Sequence, residues 1–150
     1  MKGKLRYLVG LLGAFALIAA ACGDSAEPPE AGPLGQVVIE DGESIQIRSF
    51  NAITGDVSFL GIPNQRGVEL AIEDYGDIMG HSVSMGTPLD DLCSADGGQA
   101  GAQTIVSDPQ IIGVIGTSCS GAAGAAMPLI SDAGLVMISG SNTSPALTSD

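Results

Sequence analysis

Between Ile111 and Thr143 the chain reads IIGVIGTSCSGAAGAAMPLISDAGLVMISGSNT. The opening run Ile111, Ile112, Val114, Ile115 is short, β-branched and stopped by glycine, which predicts a strand buried on both faces. From Ala122 to Ala133 the period changes: Ala126, Leu129, Ile130 and Ala133 recur at three- and four-residue spacing, so a helix is expected there. Gly134 ends it, and Leu135 to Ile138 predicts a second strand. A helix between two buried strands is the crossover connection that parallel strands need. This stretch therefore reads as a strand-helix-strand unit of a parallel α/β sheet.

The loops of the unit are as informative as its elements. Gly116-Thr117-Ser118-Cys119-Ser120-Gly121 follows the first strand, and Ser139-Gly140-Ser141-Asn142-Thr143-Ser144-Pro145 follows the second. Small residues after a strand let a ligand approach the N–H groups of a helix start. In a parallel sheet both turns fall on the carboxyl edge, the usual position of a small-ligand crevice. Ser, Thr and Gly are also ordinary turn and cap residues; it is the pairing of two such turns that favours a site.

The rest of the chain repeats the pattern. Ile45-Gln46-Ile47-Arg48-Ser49-Phe50 alternates as a first strand, residues 51–61 read as a loop, and a helix is expected from Pro63 to about Tyr75 on Val68, Leu70, Ala71 and Ile72. Ser82 to Leu89 predicts the second strand, ending in Asp90-Asp91-Leu92-Cys93, and Ala95 to Val106 a helix on Ala100, Ala102, Ile105 and Val106. The order β-α-β-α-β-α-β gives the expected fold class: α/β, a parallel sheet flanked by helices. The chain stops at Asp150 at what reads as the start of another helix, so this lobe, residues 44–150, is expected to be incomplete at its C-terminus and to continue in a longer protein.

Ahead of it lie two segments of other character. Residues 1–21 have the parts of an export signal: the basic Lys2, Lys4 and Arg6, an apolar run from Leu8, and a small-residue end. Ala19-Ala20-Ala21-Cys22 resembles the lipobox of bacterial lipoproteins, which implies a diacylglycerol on Cys22 and cleavage before it. Residues 22–43, with Pro28, Pro29 and Pro33 among Glu, Gly and Ser, read as a flexible tether. Once the signal is removed, Arg48 and Arg66 stand against all 17 acids, a net charge of −15. Nothing is then available to neutralise phosphates, so nucleic acid is excluded as a partner.

Two further cysteines, Cys93 and Cys119, each follow a parallel strand and share its edge. Export to an oxidising compartment favours their pairing. The competing reading, a nucleophilic Cys119 on a strand-to-helix turn, needs a base, and the one histidine, His81, precedes the second strand at the opposite edge. Gly116-Thr117-Ser118-Cys119-Ser120 also departs from the G-x-S-x-G elbow at its last position. No metal-ligand cluster and no cofactor motif is present, and the adjacent Asp90 and Asp91 read as a solvated strand end rather than a carboxylate dyad.

Taken together, Asp90-Asp91-Leu92-Cys93, Ile112 to Ser120, Gly134 to Ser139 and Asn142-Thr143-Ser144-Pro145-Ala146-Leu147-Thr148 resemble the branched-chain amino-acid-binding proteins of ABC importers. The resemblance runs in unbroken order from about Ser44 to Asp150. It implies the first lobe of a type I periplasmic binding protein, whose two lobes close on a solute. It further implies a Cys93–Cys119 disulfide, a ligand carboxylate held by Ser120 and Thr143, an ammonium taken by the Ser141 carbonyl with the Thr143 hydroxyl, and Ser118 lining the site. The family often has an aromatic residue where Leu60 stands. The expected protein is a non-enzymatic, lipid-anchored solute-binding protein, exported to the periplasm or the outer face of the cytoplasmic membrane, with an amino acid as ligand and an ABC permease as partner. A ligand-sensing domain of a receptor or regulator on the same fold is the alternative; a downstream transmembrane or output segment would mark it.

Overall fold

The computed structural model describes residues 32–148; the expected export signal, Cys22 and the first part of the expected tether lie outside the described residues. Strand β1 (Ile45–Asn51) is central. It pairs in parallel with β2 (Val83–Ser84) and β3 (Leu89–Asp90) on one side and with β4 (Ile111–Gly116) on the other, and β4 pairs in parallel with β5 (Val136–Ile138). Since every pairing is parallel, Asn51, Asp90, Gly116 and Ile138 all end on the same edge. Helix α1 (Ser58–Tyr75) joins β1 to β2, α2 (Ala95–Val106) joins β3 to β4, and α3 (Ser120–Asp132) joins β4 to β5. A 3-10 turn, Pro145–Leu147, follows. The parallel α/β class expected from the sequence is the class observed.

The core lies on the face covered by α2 and α3. Phe50, Ile111 and Val114 from the sheet meet Ala102 and Ile105 of α2 and Ala126 and Ile130 of α3, all of them buried. Each large side chain buried here stabilises the lobe by about 1.5–3 kcal/mol. The two helices come close because their contact is built from the smallest residues. A Cβ on Gly98 would lie 2.7 Å from the Ala122 Cα, and one on Gly101 would run into the Phe50 ring.

Among the described residues, α1 is the helix that covers the opposite face. Between α1 and the sheet runs an apolar groove of about 490 Å³, lined in part by Ile47, Val68, Ile72, Val83 and Ile115. In the register Ile115↔Ile138 the second strand of the opening unit shares this face, and Val136 and Ile138 remain 57% and 66% exposed. The expectation that Ile111 to Ile115 is buried on both faces is corrected here: Ile112 is 44% exposed, because a register shift at Gln46/Ile47 turns it outward.

Two further expectations are corrected. The strand expected over Ser82 to Leu89 is two short pieces. Gln46 to Phe50 on β1 is four steps, whereas their partners Ser84 to Leu89 are five, so the second strand bulges. Gly86 sits in the bulge at φ 57°, and a Cβ there would lie 2.9 Å from the Arg48 Cζ. The guanidinium fills that space on its way to Asp108, 3.0 Å away. Helix α1 begins at Ser58, five residues before the expected Pro63, which lies inside it. Pro63 removes one N–H from the helix ladder. What holds the early turn is packing: Gly61 lies so close on the Ala52 backbone that no Cβ would fit.

Residues 32–43 form no helix or named strand, and most are exposed. At Leu34 the backbone lies against Gly134, where φ is 75° and the Leu34 carbonyl occupies the space of a Cβ.

Candidate functional site

At the carboxyl edge the turn after β4 and the turn after β5 meet. The Ser139 hydroxyl donates to the Thr117 carbonyl at 2.6 Å, and the Ser141 hydroxyl to the Ser118 carbonyl at 2.8 Å. Asn142 Nδ2 donates to Thr117 Oγ1 at 3.1 Å. The backbone N–H groups of Thr143 and Ser144 both donate to Ser120 Oγ, at 3.1 and 3.2 Å. Ser118, Ser120, Ser141 and Thr143 are thus brought into one hydrogen-bonded cluster, as the paired turns predict.

Their accessibility differs. Ser118 is 2% exposed. Its hydroxyl donates to Asn51 Oδ1 at 3.1 Å and accepts from the Ala52 N–H at 3.0 Å, so the side chain is a buried strut. Ser120 is half-buried and opens α3, and Thr143 is exposed. A hydroxyl has two acceptor sites and one proton. In Ser120 both acceptor sites are taken by N–H groups, so its proton is left to donate at a helix start, where negative charge is favoured. Among the described residues, neither the Ser141 carbonyl nor the Thr143 hydroxyl engages a hydrogen-bond partner. One small patch therefore offers both free donors and a free acceptor.

Cys93 and Cys119 are joined, with their Cα atoms 5.0 Å apart. The thiolate alternative for Cys119 falls with the bond, and His81 is at the opposite edge, its Nδ1 3.0 Å from the Glu43 carbonyl. Closing a loop between residues 26 apart stabilises the fold by about 3–4 kcal/mol on the chain-entropy model. Among the described residues no group of three His, Cys, Asp or Glu side chains is placed to hold a metal ion, and no helix is long and apolar enough to cross a membrane.

Asp90, which ends β3, and Asp91 after it correct the solvated reading. Asp91 is fully buried. Asp90 is partly exposed but accepts from the N–H groups of Ile53 and Leu92, at 3.2 and 2.9 Å, and from the Thr54 hydroxyl. Burial acts to raise its pKa; the Thr54 hydroxyl and the backbone N–H groups outweigh burial and hold it below the ordinary 3.8. Sequence reasoning also missed Asn51, which is 1% exposed and ties the end of β1 to the Ile115 carbonyl and to Ser118. The β1 strand alternates apolar and polar residues, so its last polar residue carried no distinguishing signal in the sequence.

No protein-family model matches the chain, and no curated protein does either. Solved structures do match. The branched-chain amino acid transporter substrate-binding protein LivJ of Streptococcus pneumoniae, in complex with isoleucine, is 26% identical with a TM-score of 0.65, over 71% of this chain and 31% of its own. A type 1 periplasmic binding protein of Bordetella pertussis is 28% identical with a TM-score of 0.66, over 71% and 29%. The lobe has the type I periplasmic binding fold. An ABC transporter substrate-binding protein of Desulfitobacterium hafniense, in complex with Leu, is 32% identical with a TM-score of 0.60, over 71% and 31%. This chain therefore spans about three-tenths of the length of the periplasmic binding structures it matches. Those neighbours are substrate-binding proteins, not enzymes, which agrees with the reading of the lobe as a binder and supports a solute-binding role.

Proposed function

We propose that residues 44–150 belong to the first ligand-binding lobe of an extracytoplasmic solute-binding protein that delivers an amino acid of branched-chain type, or a similar small polar solute, to the permease of an ABC importer. The observation that carries this reading is the Ser120 hydroxyl, which accepts from the Thr143 and Ser144 N–H groups and keeps its own proton for an anion. A ligand carboxylate at that point gains a charge-assisted hydrogen bond at a helix start without any basic residue. The free Ser141 carbonyl and Thr143 hydroxyl suit an ammonium beside it. Isoleucine and leucine, the ligands named for the Streptococcus and Desulfitobacterium structures, carry both groups. Ser118 serves the site through its backbone and its strut to Asn51. Export and a diacylglycerol on Cys22 belong to the same proposal, supported by residues 1–21 and the Ala19-Ala20-Ala21-Cys22 sequence. Residues 22–43 are then the tether from the membrane surface to the lobe.

Calorimetric titration of the complete protein with a panel of amino acids tests the site. Losing a hydrogen-bond partner of a charged group costs about 1.5–3 kcal/mol, so Ser120→Ala, which removes a donor to the carboxylate, and Thr143→Ala, which removes an acceptor from the ammonium, should each weaken binding about tenfold to a hundredfold. An amino acid that binds while neither change weakens it by about threefold places the site elsewhere.

A further inference from the structure

We propose that Asp91 is a positioning residue for the ligand site: its buried carboxylate and the Cys93–Cys119 disulfide together clamp the turn after β3 to the turn after β4, and so fix where Ser120 presents its hydroxyl. The inference rests on the reading of Ser120 as a ligand donor. Asp91 is 0% exposed. One carboxylate oxygen accepts from the Cys93 N–H at 2.7 Å and the other from the Ser118 N–H at 2.6 Å. Among the described residues the ion pair present is Arg48–Asp108, at the amino edge, so no cation faces Asp91. A buried carboxylate without a counter-ion persists only where hydrogen bonds to the charged form replace its hydration. Here those bonds come from two turns that are distant in sequence.

The placement is what makes this more than a satisfied core acid. The two N–H groups belong to Cys93 and to the residue before Cys119, so the carboxylate and the disulfide bridge the same gap side by side. With its N–H turned inward to Asp91, Ser118 presents its carbonyl to the Ser141 hydroxyl at 2.8 Å. That contact holds the turn after β5 against the turn after β4, and two residues on from Ser118 the Ser120 hydroxyl receives the Thr143 and Ser144 N–H groups. Asparagine has the same shape but one acceptor oxygen, and its NH₂ would meet one of the two N–H donors head on.

The test is made on the complete, oxidised protein. Asp91→Asn should weaken amino-acid binding about tenfold or more, and the Ser118 amide proton, downfield in the wild type because it is bonded to a carboxylate, should move upfield in the ¹H–¹⁵N spectrum. Ile105→Val, a core change remote from the site, should lower the thermal midpoint yet leave affinity within about twofold. Asp91→Asn binding within about threefold of wild type, while Ser120→Ala binds weakly, overturns the positioning role. If Ser120→Ala also binds normally, the site reading has failed and this inference with it. Should Asp91→Asn not fold, the wild type alone decides: a Ser118 amide that is downfield and slow to exchange supports the contact, and one that exchanges as fast as an exposed loop refutes it.

Discussion

Asp90 and Asp91 are neighbours in sequence with opposite environments. Asp91 is buried beneath the site, whereas Asp90 caps the surface turn through Ile53, Thr54 and Leu92. The lowered pKa of Asp90 gives a signed expectation. A carboxyl whose folded pKa lies below its unfolded value contributes stability above the unfolded value, and that contribution disappears as pH falls through the folded one. Asp90→Asn should therefore lower the thermal midpoint at pH 7, and the gap between variant and wild type should close as pH is taken below 3.8. Melting curves from pH 7 to 2 check it; a gap that persists unchanged at the acid end contradicts the assignment. That the turns carrying Ser120 and Thr143 lie side by side was legible because two small, polar runs recur after two apolar runs; the roles of the two hydroxyls rest on the resemblance and belong to the proposed function. Asp91 was not legible, because a carboxylate pair after a strand is ordinarily solvated, and only the fold reveals two N–H groups aimed at it.

Among the elements, legibility followed packing. Helix α2 was found over its full observed range, since Ala102 and Ile105 face the core at helical spacing. Helix α1 was misjudged at its start because Phe59, Leu60 and Ile62 are 68%, 38% and 36% exposed, so its first turn shows no apolar stripe. Its anchor is the close fit of Gly61 on Ala52, which leaves no periodic trace. The bulged second strand was hidden for a similar reason, as the Arg48 guanidinium fills a gap that Gly86 leaves. The α2/α3 contact yields a paired prediction. Gly98→Ala drives a methyl into the Ala122 backbone and should destabilise by about 1–3 kcal/mol. Gly124→Ala, on the same α3 helix, meets nothing within 4 Å and should stabilise by about 0.4–1 kcal/mol. Guanidinium unfolding of both variants measures the contrast, and equal effects would remove the close-packed contact as its cause.

For the molecule as a whole, the described residues carry part of one lobe of a fold whose solved neighbours are about three times as long. Membrane attachment is checked by labelling with a clickable fatty acid: the wild type should take up label and Cys22→Ser should not, and equal labelling of both would end the anchor proposal. The central claim is that this lobe captures the carboxylate and ammonium of an amino acid with neutral hydroxyl, N–H and carbonyl groups. Its most direct test is titration of the complete protein with leucine, leucinamide and N-acetyl-leucine. Leucine should bind, and each blocked analogue, having lost one charged group, should bind about tenfold to a hundredfold more weakly. Leucinamide binding as tightly as leucine would contradict the carboxylate site at Ser120.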